Sequence, residues 1–271
     1  MSVMITSKKN ELIRQSVRLA ESAAFRREQR LFFLEGARLC SDAVRSGVPV
    51  AAALYTPQAG EKYEAYLDPV LSAAEKAFTV SPEVASALSD TKTPQGVFCL
   101  CRLPEKGENP FSLAKDRHYL AFENLQDPAN LGSVLRTAEA LGIGGVLLSS
   151  GCCDVYSPKV LRASMGAVFR ISLYSALEMP KTVADLGKAG FLTLAAVPDR
   201  TARPVTELCF DQPSVMVIGN EGNGLTPETQ EACSLRVTVP MAGRAESLNA
   251  SVSAAILAWE MMRAVSGGKL S

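Results

Sequence analysis

Apolar and polar positions fall in two kinds of block along this chain. Short apolar runs bounded by Gly, Pro or charged residues read as strands. In the first hundred residues these are Leu31 to Leu34, Val50 to Tyr55, Phe78 to Val80 and Gly96 to Leu103. Between them the apolar spacing becomes helical. Glu11 to Ala24 carries Leu12, Ile13, Val17, Leu19 and Ala20 on one side and a basic face on the other. Ala37 to Arg45 reads as a helix stopped by Gly47. Gly60 to Lys76 reads as a helix that Pro69 should bend or split. Ser81-Pro82-Glu83 opens a further helix, with Pro in its first turn. This alternation predicts a small α/β domain. Pro104 to Asp116, with Lys106, Gly107, Glu108, Asn109 and Pro110, is the linker candidate.

The second half repeats the alternation with longer helices. Strands are expected at Tyr119 to Glu123, Val146 to Leu148, Leu192 to Val197, Val215 to Ile218 and Arg236 to Val239. The run from Val215 is apolar at every position, as in a parallel sheet covered by helices on both faces. Leu131, Val134, Leu135, Ala138 and Leu141 recur at helical spacing. Arg136 and Glu139 fall three apart on one face, where a plain ion pair is the simplest role for them. Further helices are expected over Tyr156 to Ala167, broken near Ser157-Pro158, and over Val183 to Lys188. A last helix runs from Ser247 through Val265, with an apolar face of Leu248, Val252, Ala255, Ile256, Trp259 and Met262. Trp259 is therefore expected in the core or at a subunit contact, not as a platform for a base.

Composition narrows the function classes. Apolar residues make up 47% of the 271, enough to build a core in two domains. Lys+Arg and Asp+Glu both number 28, so net charge carries no polyanion signal. The first forty residues are locally basic, through Lys8, Lys9, Arg14, Arg18, Arg26, Arg27, Arg30 and Arg38. That face could meet phosphates or simply be solvated. The start, MSVMITSKKN, has no apolar signal region, and no run is long enough to span a bilayer. Seven cysteines without a C-x-x-C pair fit a reduced cytosolic protein. The single histidine, His118, excludes multi-histidine metal sites, and its place before a strand suggests a structural role. No metal is expected.

Candidate chemistry sits in three polar clusters at strand ends: Asn124 to Arg136, Gly219 to Gly224 and Pro240 to Asn249. In a parallel sheet such ends share one edge, so the clusters can converge. The glycine loop, expected to be rich in free amides, is no P-loop, because no Gly-Lys-Ser/Thr follows it. Gly142-Ile143-Gly144-Gly145 follows a helix and lacks dinucleotide-binding spacing, and no Gly-x-Ser-x-Gly elbow is present. What remains is a set of amide, hydroxyl, guanidinium and carboxylate groups, which suits a group transfer run by positioning and electrostatics.

The order and wording of these clusters resemble the SpoU-type (TrmH-like) RNA ribose 2′-O-methyltransferases of the SPOUT class. The first motif is matched by Asp127-Pro-Ala-Asn130-Leu-Gly132-Ser-Val-Leu-Arg136-Thr-Ala-Glu139, and a second stretch by Arg162 to Arg170. Ile218-Gly219-Asn220-Glu221-Gly222-Asn223-Gly224-Leu225 matches the next motif. Val239-Pro240-Met241-Ala242-Gly243 with Glu246-Ser247-Leu248-Asn249-Ala250-Ser251-Val252 matches the last. Ala129 and Ala250 depart from the common pattern without touching a polar position. Arg27-Glu28-Gln29-Arg30 through Gly36 resembles, more weakly, the small substrate-binding domain found in this family.

The resemblance implies an α/β fold in three parts. Residues 1–104 would bind RNA substrate, 105–116 would link, and 117–271 would form a SPOUT methyltransferase domain with a C-terminal trefoil knot. It implies S-adenosylmethionine as cofactor, held near Gly219, Asn220, Gly222, Val239, Met241 and Leu248. The reaction implied is in-line displacement at the sulfonium methyl by a ribose 2′-hydroxyl. Arg136 would be catalytic by holding the target phosphate and stabilising the developing alkoxide. Literal deprotonation is disfavoured, since a guanidinium pKa exceeds ~12. Asn130 and Asn249 would orient the ribose or Arg136, Glu221 would fix Arg136 or a neighbouring amide, and Ser247 would hydrogen-bond in the same network. A homodimer and a structured RNA, ribosomal before transfer, are the implied partners. The rivals are a catalytically inactive RNA-binding or ribosome-assembly module on the same fold, and a nucleotide-dependent oxidoreductase.

Overall fold

The computed structural model describes residues 4–91, 93–104, 109 and 112–265. Most of the proposed linker's first half, 105–108 and 110–111, lies outside the described residues. Contacts divide the chain into two units. The first comprises the described residues of Met1–Glu105 together with Asp154–Phe169; the second comprises those of Lys106–Cys153 and Arg170–Ser271.

The first unit begins with α1 (Glu11–Glu21), capped by Asn10, whose side chain accepts the Leu12 amide at 2.9 Å. Ser22 ends α1 and caps α2 (Ala23–Gln29) through its hydroxyl, so the single helix expected from Glu11 to Ala24 is two. Then follow β1 (Leu31–Glu35), α3 (Ala37–Arg45), β2 (Val50–Tyr55), α4 (Pro57–Lys62), α5 (Glu64–Ala73), β3 (Ala77–Thr79), α6 (Pro82–Leu88) and β4 (Val97–Arg102). The split expected at Pro69 falls instead at Tyr63, whose φ of −118° and ψ of 25° leave the helical region. Pro69 stays inside α5, where its missing N–H forfeits one helical hydrogen bond.

The four strands form one sheet in the order β1-β4-β2-β3, antiparallel except for β2 with β3. Phe33, Leu54, Phe98 and Leu100 project from it onto Ile13, Leu19 and Val84, all buried. Residues Asp154–Phe169 carry α8 (Pro158–Ser164), which packs on β1, with the Tyr156 ring 4.9 Å from Phe32. Arg26 is only 4% exposed. Its guanidinium pairs with Asp154 at 2.7 Å and donates to the Leu19 and Ala20 carbonyls. One arginine of the basic N-terminal stretch is thus a structural anchor and not part of a phosphate-facing surface.

The second unit holds β5 (Tyr119–Phe122), α7 (Pro128–Ala140), β6 (Val146–Leu148), β7 (Leu173–Ser175), α9 (Met179–Lys188), β8 (Leu192–Ala196), β9 (Arg203–Pro204), β10 (Ser214–Ile218), α10 (Pro227–Ala232), β11 (Leu235–Thr238) and α11 (Ala250–Val265). Its sheet runs β7-β6-β5-β10-β8-β11-β9, and every pairing is parallel. β10 is central, with Val217 opposite Ala121 on one side and Ala195 on the other. Val215 and Val217 join the core cluster that includes Met179, Val183 and Leu186 of α9. Met216 and Ile218 alternate to the other face and are buried too. All carboxyl ends therefore lie along one edge.

Four elements of this unit were not anticipated: β7 and β9, which are two or three residues long, the 3-10 turn Val205–Glu207, and α10, which Thr226 caps ahead of Pro227. The last helix begins at Ala250, not Ser247. Asn249 is its cap, accepting the Ser251 and Val252 amides. Its buried face is also rotated from the expected one. Ala254, Leu257, Ala258 and Met261 pack inward, and α11 lies on α7, whereas Val252 and Trp259 are 46% and 42% exposed. The helix is apolar nearly all round, so periodicity alone could not choose the face.

Candidate cofactor and catalytic site

The loop after β10 is closed by its own backbone. The Asn220 amide donates to the Gly224 carbonyl at 3.1 Å, and the Gly224 amide returns the bond at 3.0 Å. Inside the loop, Asn220 Oδ1 accepts the amides of Gly222 and Asn223. Those amides are spent within the loop, contrary to the expectation of free donors. Gly219 is required here, because a Cβ would run into the backbone of Gly224 and Leu225. Thr226 next docks on β5, its amide donating to the buried Glu123 carboxylate at 2.8 Å, and the Thr229 hydroxyl adds a 2.6 Å bond. Glu123 was not singled out in the sequence, since a carboxylate at a strand end gives no pattern.

The three polar clusters meet. Asn249 Nδ2 donates to Asn130 Oδ1 at 3.0 Å, and Asn130 Nδ2 donates to Glu221 Oε1 at 3.1 Å. The Glu221 carboxylate also accepts the amides of Asp127 at 3.0 Å and Gln126 at 3.3 Å, just ahead of α7. Asn220 Nδ2 holds the Asn124 carbonyl at 2.8 Å, and Asn124 itself has a φ of 58°. Partial burial works to raise the Glu221 pKa, but the donors from Asn130, Asp127 and Gln126 outweigh it and leave the carboxyl below its ordinary value.

Beside this network lies a cavity of about 380 Å³ over the carboxyl ends of β8, β10 and β11. Gly219, Asn220, Gly222, Val239, Met241 and Leu248, the six residues expected to hold the cofactor, all line it, as do Glu221 and Ser247. Leu225, Val237 and Leu257 complete apolar walls. The volume, the glycine-loop lining and the mixed walls suit a nucleoside-bearing cofactor. Ser247 is exposed and makes no hydrogen bond to Asn130, Glu221 or Asn249.

Arg136 does not line this cavity. It lies six residues beyond Asn130, roughly 9 Å along α7 and about 120° around it. It is exposed, and among the described residues it has no hydrogen bond or ion pair. Glu139 pairs with Arg170 at 2.8 Å, not with Arg136, so the simple intrahelical pair is absent. His118 is buried with its ring edge on Phe210, and burial lowers its pKa. Among the described residues no group of three or more His, Cys, Asp or Glu is placed to hold a metal, and no helix is long and apolar enough to cross a membrane.

An all-parallel sheet with its polar network and cofactor-sized cavity at one carboxyl edge defines an α/β domain that binds a ligand beyond its strand ends. The particular family follows from comparison: residues 117–259 match the SpoU rRNA Methylase family, and 10–99 match the MRM3-like substrate binding domain, so the chain belongs to the SpoU methylases. It is 31% identical over 257 residues, 95% of this chain and 98% of the relative, to the 23S rRNA guanosine 2′-O-methyltransferase RlmP of Bacillus subtilis. It is 31% identical over 96% of its length, and 93% of the relative's, to an uncharacterized tRNA/rRNA methyltransferase of Synechocystis. The crystal structure of AviRb from Streptomyces viridochromogenes with AdoMet superposes with a TM-score of 0.85 at 27% identity, covering 96% of this chain and 100% of that one.

Proposed function

We infer that this chain methylates a ribose 2′-hydroxyl of RNA with S-adenosylmethionine as donor. The observation that carries the reading is the hydrogen-bonded chain Asn249–Asn130–Glu221 beside a cavity lined by all six expected cofactor residues. S-adenosylmethionine supplies a methyl group activated on a sulfonium sulfur. Gly219 gives it close access to the backbone, and Val239, Met241, Leu248 and Leu257 exclude water around its nucleoside. Asn130 and Asn249, each fixed at both ends of its amide, hold the edge of the pocket rigid. A trefoil knot through the 219–224 and 240–249 loops is part of this reading.

Arg136 is the residue that holds the target phosphate and stabilises the developing alkoxide. Its free guanidinium and its distance from the cavity support a homodimer in which the partner chain completes the site. The exposed apolar stripe of Val252 and Trp259 on α11 supports the same pairing. Ribosomal RNA is the better substrate class, since the Bacillus subtilis relative and a Streptomyces viridochromogenes relative 29% identical over 86% of this chain are named for 23S rRNA. Seven cysteines, none of them in a disulfide among the described residues, support a reducing, cytoplasmic setting.

Mapping ribose methylation across total RNA with and without the gene tests the reading. One missing 2′-O-methyl, restored by the intact gene and not by Arg136→Ala, is the expected result. An unchanged map, together with no calorimetric binding of S-adenosylmethionine, would favour the inactive assembly module.

A further inference from the structure

Asp199, just beyond β8, and Arg236, on β11, both line the cofactor cavity and pair with each other at 2.7 Å. Arg236 is the only lysine or arginine among the described lining residues. The other acid, Glu221, already accepts four nitrogen donors. The pair sits at the solvent side of the cavity, with exposures of 33% for Asp199 and 48% for Arg236. Asp199 is aimed by its neighbour: its Oδ1 accepts both the amide and the hydroxyl of Thr201 at 2.8 Å. That leaves Oδ2 for charge partners. Arg236 spends Nη2 on that oxygen, and among the described residues its Nη1 and Nε are uncommitted.

We propose that Arg236 and Asp199 form a clamp for the amino-acid tail of the cofactor, Arg236 meeting its α-carboxylate and Asp199 its α-ammonium. The inference rests on the cofactor reading above. A zwitterion laid antiparallel across an ion pair places four alternating charges together, so no lone charge is desolvated. The guanidinium offers two further nitrogens in the planar fork that a carboxylate accepts. The apolar walls at Leu248 and Leu257 cannot do this for the tail, and the network around Glu221 has no free donor of positive charge. The clamp thus divides the cavity into an apolar nucleoside end and a charged tail end.

Calorimetry on the intact chain separates the two ends. S-adenosylhomocysteine carries the tail and methylthioadenosine lacks it, so the unaltered protein should bind the first more tightly. Arg236→Gln and Asp199→Asn, which keeps the acceptor for Thr201, should each weaken S-adenosylhomocysteine roughly five- to twentyfold while leaving methylthioadenosine within about twofold. Decarboxylated S-adenosylmethionine should respond to Asp199→Asn and not to Arg236→Gln. Equal losses with both nucleosides, or no preference for the tailed ligand in the unaltered protein, would overturn the clamp. Absence of that preference in the unaltered protein overturns the clamp even where a variant folds poorly. If the unaltered protein binds none of these ligands, the cofactor reading itself fails.

Discussion

Asn249 Nδ2 reaches Asn130 Oδ1 at 3.0 Å across 119 residues of chain. Neither amide can be turned round without loss. Asn249 Oδ1 is held by the first amides of α11, and Asn130 Nδ2 is held by Glu221. The contact therefore has a direction, running from the cap of one helix through the start of another to the glycine loop. It ties together the three segments that resemble the family's motifs.

That direction makes Asn130→Asp more damaging than its size suggests. The new oxygen would face Glu221 Oε1, replacing a 3.1 Å hydrogen bond with two acceptors in contact. A loss of ~1–3 kcal/mol in thermal or denaturant unfolding is expected, with weaker binding of S-adenosylmethionine. Asn130→Ala and Asn249→Ala combined should cost less than their sum, since they share one bond. Strict additivity would show that the relay contributes nothing as a unit.

Arg136→Ala should leave cofactor affinity within about twofold and reduce single-turnover methyl transfer by roughly a hundredfold or more. If the residue acts in a partner's site, mixing Arg136→Ala chains with Gly219→Ala chains should restore part of the activity. Each mixed dimer then holds one intact site. Turnover retained by Arg136→Ala alone would remove the residue from the mechanism. A compact active monomer in sedimentation would remove the dimer.

The sequence placed the sheet well because its strands are apolar at nearly every position, a pattern that survives any tertiary context. β2 and β6 match their expected bounds, and β10 is longer by one residue, Ser214. β7 and β9 were missed because two or three residues carry no period. The buried face of α11 was missed for the opposite reason, since apolar residues occupy nearly all of its circumference. At the site, motif wording found Asn130, Glu221 and Asn249. It could not show that Glu221 is held by the Gln126 and Asp127 amides, because that bond depends on where two strands end. Asp199 and Arg236 were invisible for the same reason, lying 37 residues apart with no spacing to link them.

Glu221 gives the site a defined response to acid. Its folded pKa is lowered from the ordinary 4.5, because the donors around it outweigh burial. A carboxyl lowered on folding contributes stability that is complete above its unfolded pKa and is lost as pH falls through the folded value. Glu221→Gln should therefore differ most from the unaltered protein near neutrality. The gap should shrink between roughly pH 5 and pH 3, as both carry a neutral side chain. Unfolding midpoints measured across that range check this. A gap constant with pH would mean that the charge on Glu221 is immaterial.

The glycine loop offers the sharpest steric test, because two of its glycines make opposite demands. A methyl at Gly219 would strike the backbone of Gly224 and Leu225, which no rotamer change can relieve. A methyl at Gly222 would meet only Asn220 Oδ1, at an ordinary 3.5 Å. Gly222 also lacks a positive φ, so an alanine there is not strained. Gly219→Ala should open the Asn220–Gly224 bridge, distort the cavity lining and weaken S-adenosylmethionine binding by roughly a hundredfold. Gly222→Ala should bind within about threefold of the unaltered protein. Calorimetry on both variants, with hydrogen exchange at the Gly224 amide, reads the two effects separately. Equal tolerance of the two substitutions would mean that the bridge does not shape the pocket.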